Sequence, residues 1–180
     1  MFQKNNLKKG FTIVELLVSI AIIGLLSAVT FSSFAQSQER ARVSKRVTDI
    51  KNIQNALEFY YAVSKSYPTT SGFWRSECSA WGGYAPSAVI PGLVPNYMSN
   101  MPSDPGMDKA ANTSCYLYAS DGVNYALLDH DVADLRTSPF TYSTYPELVD
   151  PARDGGSNAS IVDGAGIWSW KIYRGAGVTW

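Results

Sequence analysis

Phe11 to Ala35, FTIVELLVSIAIIGLLSAVTFSSFA, is an apolar run carrying a single charge, Glu15. As a helix it would be roughly 38 Å long at 1.5 Å per residue, against a bilayer hydrocarbon layer of about 30 Å. It is therefore predicted to span a membrane. The ten residues before it hold Lys4, Lys8 and Lys9 and no acid, and the positive-inside tendency then predicts a cytoplasmic N-terminus and an exported remainder. A carboxylate so near the start of an apolar helix is costly to bury, which marks Glu15 as a functional position that needs a partner.

Beyond Ala35 the composition turns polar, yet Val43, Val47, Ile50, Ile53 or Gln54, Leu57 and Tyr60 or Tyr61 keep a helical spacing and draw one apolar stripe. Arg40, Lys45, Asp49, Lys51 and Glu58 lie opposite it. One helix of about fifty residues, ended by Pro68, is the expectation. After Pro68 the sequence reads as a small β-rich domain. Strands are predicted at 115–119 and 124–129, joined through Asp121-Gly122, a pair that supplies the positive backbone angles of a tight hairpin. A third is predicted at 167–173, with Trp168, Trp170 and Ile172 on the core face and Ser169 and Lys171 on the other. Segments 69–114 and 135–166 read as ordered loops. The predicted class is α+β, with a long N-terminal helix packed on a small antiparallel sheet. Its parts are a leader at 1–10, an apolar half-helix at 11–35, an amphipathic half at 36–65 and a globular domain at 66–180.

Charge is unevenly placed: residues 11–65 hold six bases and four acids, whereas 66–180 hold six and eleven. So slight a basic excess argues against direct nucleic-acid binding. Arg40, Arg42, Lys45 and Arg46 are expected to face acidic domains of neighbouring copies. Enzymatic motifs are absent, and His130, between two aspartates, has no nucleophile pattern around it and is expected in a loop. Cys78 and Cys115 have no metal-type spacing; in an oxidising compartment they would form one disulfide, the alternative being two buried free thiols.

Lys9-Gly10-Phe11-Thr12-Ile13-Val14-Glu15-Leu16-Leu17 resembles the processing site of type IV pilins, competence pilins and type II secretion pseudopilins. The resemblance implies a type IV pilin-like fold and cleavage between Gly10 and Phe11 by a prepilin peptidase, with N-methylation of Phe11. It pairs Glu15 with the Phe11 ammonium of a neighbouring copy in a helical filament. Its further partners are an assembly platform and an ATPase. Tyr67-Pro68-Thr69-Thr70 and Met101-Pro102-Ser103-Asp104-Pro105-Gly106 resemble the major pseudopilin more loosely. Two features depart from it: Gly24 is the only helix breaker in the apolar half, and the chain continues past the hairpin to Trp180.

Asp129, Asp131 and Asp134 follow a predicted strand and could converge in a turn, and oxygen ligands suit calcium, an ion that major pseudopilins hold in their C-terminal loops. Solvated turn aspartates are the alternative, and Asp150, Asp154, Asn158 and Asp163 form an equally loose set. No cofactor is required by this reading. The competing functional readings are a secreted binding protein cut by an ordinary signal peptidase before Gln36 and an uncleaved, membrane-tethered monomer.

Overall fold

The computed structural model describes residues 11–132, 134–135, 144–154 and 168–180, excepting the side chains of 28–33, 151–154 and 168. Gly10 and the rest of the leader, Ile167, Asn158 and Asp163 lie outside the described residues, as does the side chain of Asp154. Helix α1 (Ile13–Ser64) is 52 residues long and runs unbroken through Gly24. The chain divides into one unit ending at Arg40 and a second from Ala41 to Trp180.

In the second unit, Val43, Val47, Ile50, Ile53 and Leu57 are buried as the periodicity predicts, joined by Ala56. Burial of each large member removes apolar surface worth about 1.5–3 kcal/mol, several times any difference in helix propensity. The helix stops before Pro68. Lys65 takes a left-handed conformation (φ 57°), and its N–H donates to the Tyr61 carbonyl at 2.8 Å, closing the last turn from outside. The main chain of Tyr67 then bonds the hairpin loop at Gly122.

Strands β1 (Cys115–Ser120), β2 (Tyr125–His130), β3 (Val149–Asp154) and β4 (Trp168–Arg174) form an antiparallel sheet in the order β1-β2-β4-β3. Tyr116, Tyr118, Tyr125, Leu127, Trp170 and Ile172 line the face that shares a core with α1. In the β1–β2 loop the Asp121-Gly122 pair supplies one positive backbone angle rather than the expected two. Only Gly122 has positive φ (95°). The Asp121 carboxylate instead folds the loop by accepting from the N–H groups of Val123 and Asn124 at 2.8 and 2.6 Å.

The second face of the sheet is covered rather than solvated. Cys115, Leu117 and Leu128 pack there with Cys78, Trp74, Trp81 and Met107. Ser169 and Lys171, predicted on the face opposite Trp170, are both buried. Lys171 Nζ lies 3.6 Å from Asp150 and donates to the main-chain oxygens of Val178 and Trp180 at 3.1 and 2.7 Å. The turn at Gly175–Thr179 lies so close to the sheet that a Cβ on Gly177 would collide with the Tyr125 carbonyl.

Strand β3 falls in a segment predicted to be loop. Pro151 and two aspartates mask it in the sequence, and proline is tolerated because β3 is the edge strand with an irregular register against β4.

Candidate assembly site

Thr12 and Glu15 close the start of α1 on each other. The Glu15 N–H donates to Thr12 Oγ1 at 3.2 Å, while the Thr12 N–H and hydroxyl donate to Glu15 Oε2 at 3.2 and 3.1 Å. This is a capping box, in which two N-terminal amides with no partner in the helix are satisfied reciprocally. Around it, the side chains from Phe11 to Leu26 are all exposed, with Phe11 at 72% and Ile13 at 78%. So large an apolar surface requires an apolar cover, whether lipid or protein. Among the described residues no helix is long and apolar enough to cross a membrane. Side chains 28–33, inside the 11–35 run, lie outside the described ones.

The amphipathic half of α1 carries a second polar feature. Arg46, 1% exposed, sits within the apolar stripe between Val43 and Ile50. Its Nε and Nη2 donate to Asp104 Oδ2 and Oδ1 at 2.5 and 3.2 Å, and its Nη1 donates to Asp134 Oδ2 at 2.7 Å. Arg42 reaches the same Asp134 through Nε and Nη2 at 2.9 and 3.1 Å. Asp129 faces the cluster from β2, with Oδ2 3.7 Å from Arg46 Nε, and neither of its oxygens has a hydrogen-bond partner among the described residues. Arg42, Lys45 and Arg46 are thus engaged within their own chain, Lys45 with Asp49 and the Ser103 carbonyl. Arg46, buried in its own domain, does not face neighbouring copies, contrary to the expectation.

Burial opposes the charge on Arg46, but Asp104, Asp129 and Asp134 outweigh it and hold its pKa above the ordinary value. Burial also opposes charge on Asp134, where the hydrogen bonds from Arg42 and Arg46 prevail and lower its pKa. Asp129 goes the other way: burial first, then the neighbouring Asp104 charge, raise its pKa well above the carboxylate range, with Arg46 opposing and Asp49 adding to the rise.

The folded chain therefore holds this proton above about pH 4, where an unfolded aspartate releases it. Asp129 thus makes stability fall as pH rises from there through its folded pKa. Asp129→Asn is expected to flatten that slope, and midpoints of thermal unfolding measured across pH for both proteins check it; an unaltered slope refutes it.

The predicted aspartate set is not brought together around a common point. Asp129 and Asp134 point at Arg46. Asp131, in left-handed backbone (φ 49°), is fixed through its main chain, which donates to Ser169 Oγ and accepts from the Ser114 N–H, both at 3.2 Å. Among the described residues no group of three His, Cys, Asp or Glu is placed to hold a metal ion. Cys78 and Cys115 are joined in a disulfide. His130 ends β2 rather than lying in a loop, and its ring meets Trp81 edge-on at 4.8 Å.

Residues 5–31 match the prokaryotic N-terminal methylation motif. The chain is 32% identical over 103 residues to the type II secretion system core protein G of Escherichia coli K12, covering 54% of this chain and 66% of that protein. It is 35% identical over 68 residues to the Vibrio cholerae protein of that name, covering 38% and 47%. To the type IV major pilin protein PilE of Neisseria gonorrhoeae it is 33% identical over 88 residues, covering 48% and 53%. The chain belongs to the type IV pilin and pseudopilin family.

This pilin-like chain spans between about half and two thirds of the length of these relatives, and no solved structure matches it. Its long helix and four-stranded antiparallel sheet accord with the pilin fold. Two site features escaped the sequence reading although signals existed. Thr12-x-x-Glu15 is the capping-box pattern, and Arg46 stands three residues after Val43 and four before Ile50, in the buried stripe by spacing alone.

Proposed function

We propose that this pilin-like chain is a non-enzymatic structural subunit, made as a single-pass membrane precursor with its N-terminus in the cytoplasm. A prepilin peptidase cuts it between Gly10 and Phe11 and methylates Phe11. The mature chain then polymerises with copies of itself through α1, served by an assembly platform and an ATPase. The observation that carries this reading is the exposed apolar surface from Phe11 to Leu26, headed by one carboxylate, Glu15, on the fifth residue after the proposed cut. Lipid covers that surface before assembly and neighbouring helices cover it afterwards. The ammonium exposed on Phe11 by cleavage supplies the charge that Glu15 needs among apolar neighbours.

Intact-mass measurement on sheared surface material and on membranes tests the proposal. The expected species starts at Phe11 and carries one methyl group. A chain starting at Gln36 would support an ordinary secreted protein, and one retaining Met1 in every fraction a tethered monomer; either would overturn the assignment.

A further inference from the structure

A cleft of about 440 Å³ lies between the amphipathic half of α1 and the loop at 97–102, a size within the range of about 300–1,000 Å³ typical of small-molecule sites. On the helix side Asn52, Asn55 and Phe59 follow one another at steps of three and four and so share one face. The Phe59 ring is 66% exposed there, and among the described residues the side-chain amides of Asn52 and Asn55 take no hydrogen bond. The opposite wall is fixed in place: the N–H groups of Tyr97 and Met98 donate to the Leu93 carbonyl at 2.9 and 3.3 Å, and the Tyr97 ring packs 5.2 Å from that of Tyr60. Asp49 completes the lining. Its Oδ2 accepts from Lys45 Nζ at 2.6 Å and from the Tyr116 hydroxyl at 3.3 Å, while its Oδ1 accepts from no group among the described residues.

The chemistry of this lining selects its ligand. No lysine or arginine is among the described residues that line the cleft, so an anion would find no charge to pair with. Each amide offers donors and an acceptor, and the remaining carboxylate oxygen accepts only. Such a set matches a neutral molecule whose own donors and acceptors stand close together, as the hydroxyl and acetamide groups of a sugar do. An extended peptide presents a similar alternation, but it has no flat C–H face to lay on an exposed ring, and the pyranose ring has one. We propose that this cleft binds a short neutral saccharide, stacked on Phe59 and hydrogen-bonded by Asn52, Asn55 and Asp49.

The test titrates the full chain calorimetrically with two disaccharides, diacetylchitobiose and cellobiose, which differ in carrying acetamide groups. A zwitterionic detergent is used because it has no sugar head group, and binding is read on the unassembled chain, so the result stands apart from whether the chain forms filaments. At least one disaccharide is expected to bind with a Kd of roughly 1 mM or tighter, unchanged by salt because the ligand is neutral. Phe59→Ala is expected to weaken that binding by roughly tenfold or more and to leave the melting midpoint where it is, since the ring is exposed. Asn52→Ala with Asn55→Ala is expected to weaken it similarly, and decides alone if Phe59→Ala melts lower. Failure of both disaccharides to bind overturns the proposal, as does binding that survives in the variants. Equal binding of trialanine would make the cleft a peptide site and also overturn it.

Discussion

Glu15→Ala is expected to lower the yield of sheared filaments by more than roughly tenfold while leaving the melting of the C-terminal domain unchanged. The charge loses its water once α1 is surrounded by apolar neighbours. Removing one partner of a buried pair leaves the other uncompensated, at a cost of about 3–5 kcal/mol, and only 1.4 kcal/mol per subunit is a tenfold change in the association constant. Losing the capping box costs about 0.5–2 kcal/mol and acts only on the first turn. Glu15→Gln separates the two effects, because an amide oxygen can still accept from the Thr12 N–H but carries no charge. Loss of fibres in both variants points to the charge. Fibres of normal number from Glu15→Gln would reduce Glu15 to a helix cap, and normal fibres from Glu15→Ala would remove it from assembly altogether.

Breaking the disulfide, by Cys78→Ala with Cys115→Ala, is expected to destabilise the C-terminal domain by about 3–4 kcal/mol. The bridge spans a sequence separation of 37, and the loop-entropy relation gives a value in that range. For a chain of this size the midpoint of thermal unfolding should drop by roughly 10 °C. The bridge also fixes the loop carrying Trp74 and Trp81 over Leu117 and Leu128 on the outer sheet face. Loss of that cover should appear as a red shift and altered intensity of tryptophan fluorescence before global unfolding. Identical melting curves for the double variant and the wild type would show that packing, not the bridge, holds this loop.

Legibility in the sequence followed the range of the interaction. The stripe from Val43 to Leu57 could be read because helix periodicity repeats every few residues, and β1, β2 and β4 because alternation and a turn signal are equally local. Strand β3 was hidden: a proline argues against a strand unless one knows that the strand lies at an edge, and edge position is set by the whole sheet. The burial of Lys171 was hidden for a similar reason. Its alternation was correct, but Asp150 and the turn at 175–179, which cover it, come from other parts of the chain.

The sequence by itself determined the apolar start of α1, the position of Glu15 within it and the match to the N-terminal methylation motif, because each is written in adjacent residues. Only the tertiary structure decided the use of the charges in the C-terminal domain. Arg46 meets Asp104 and Asp134 across separations of 58 and 88 residues, and no local pattern announces such a meeting. Ionic partners are chosen by which side chains the packed helix and sheet bring together out of water, where an unpaired charge is too costly to leave alone.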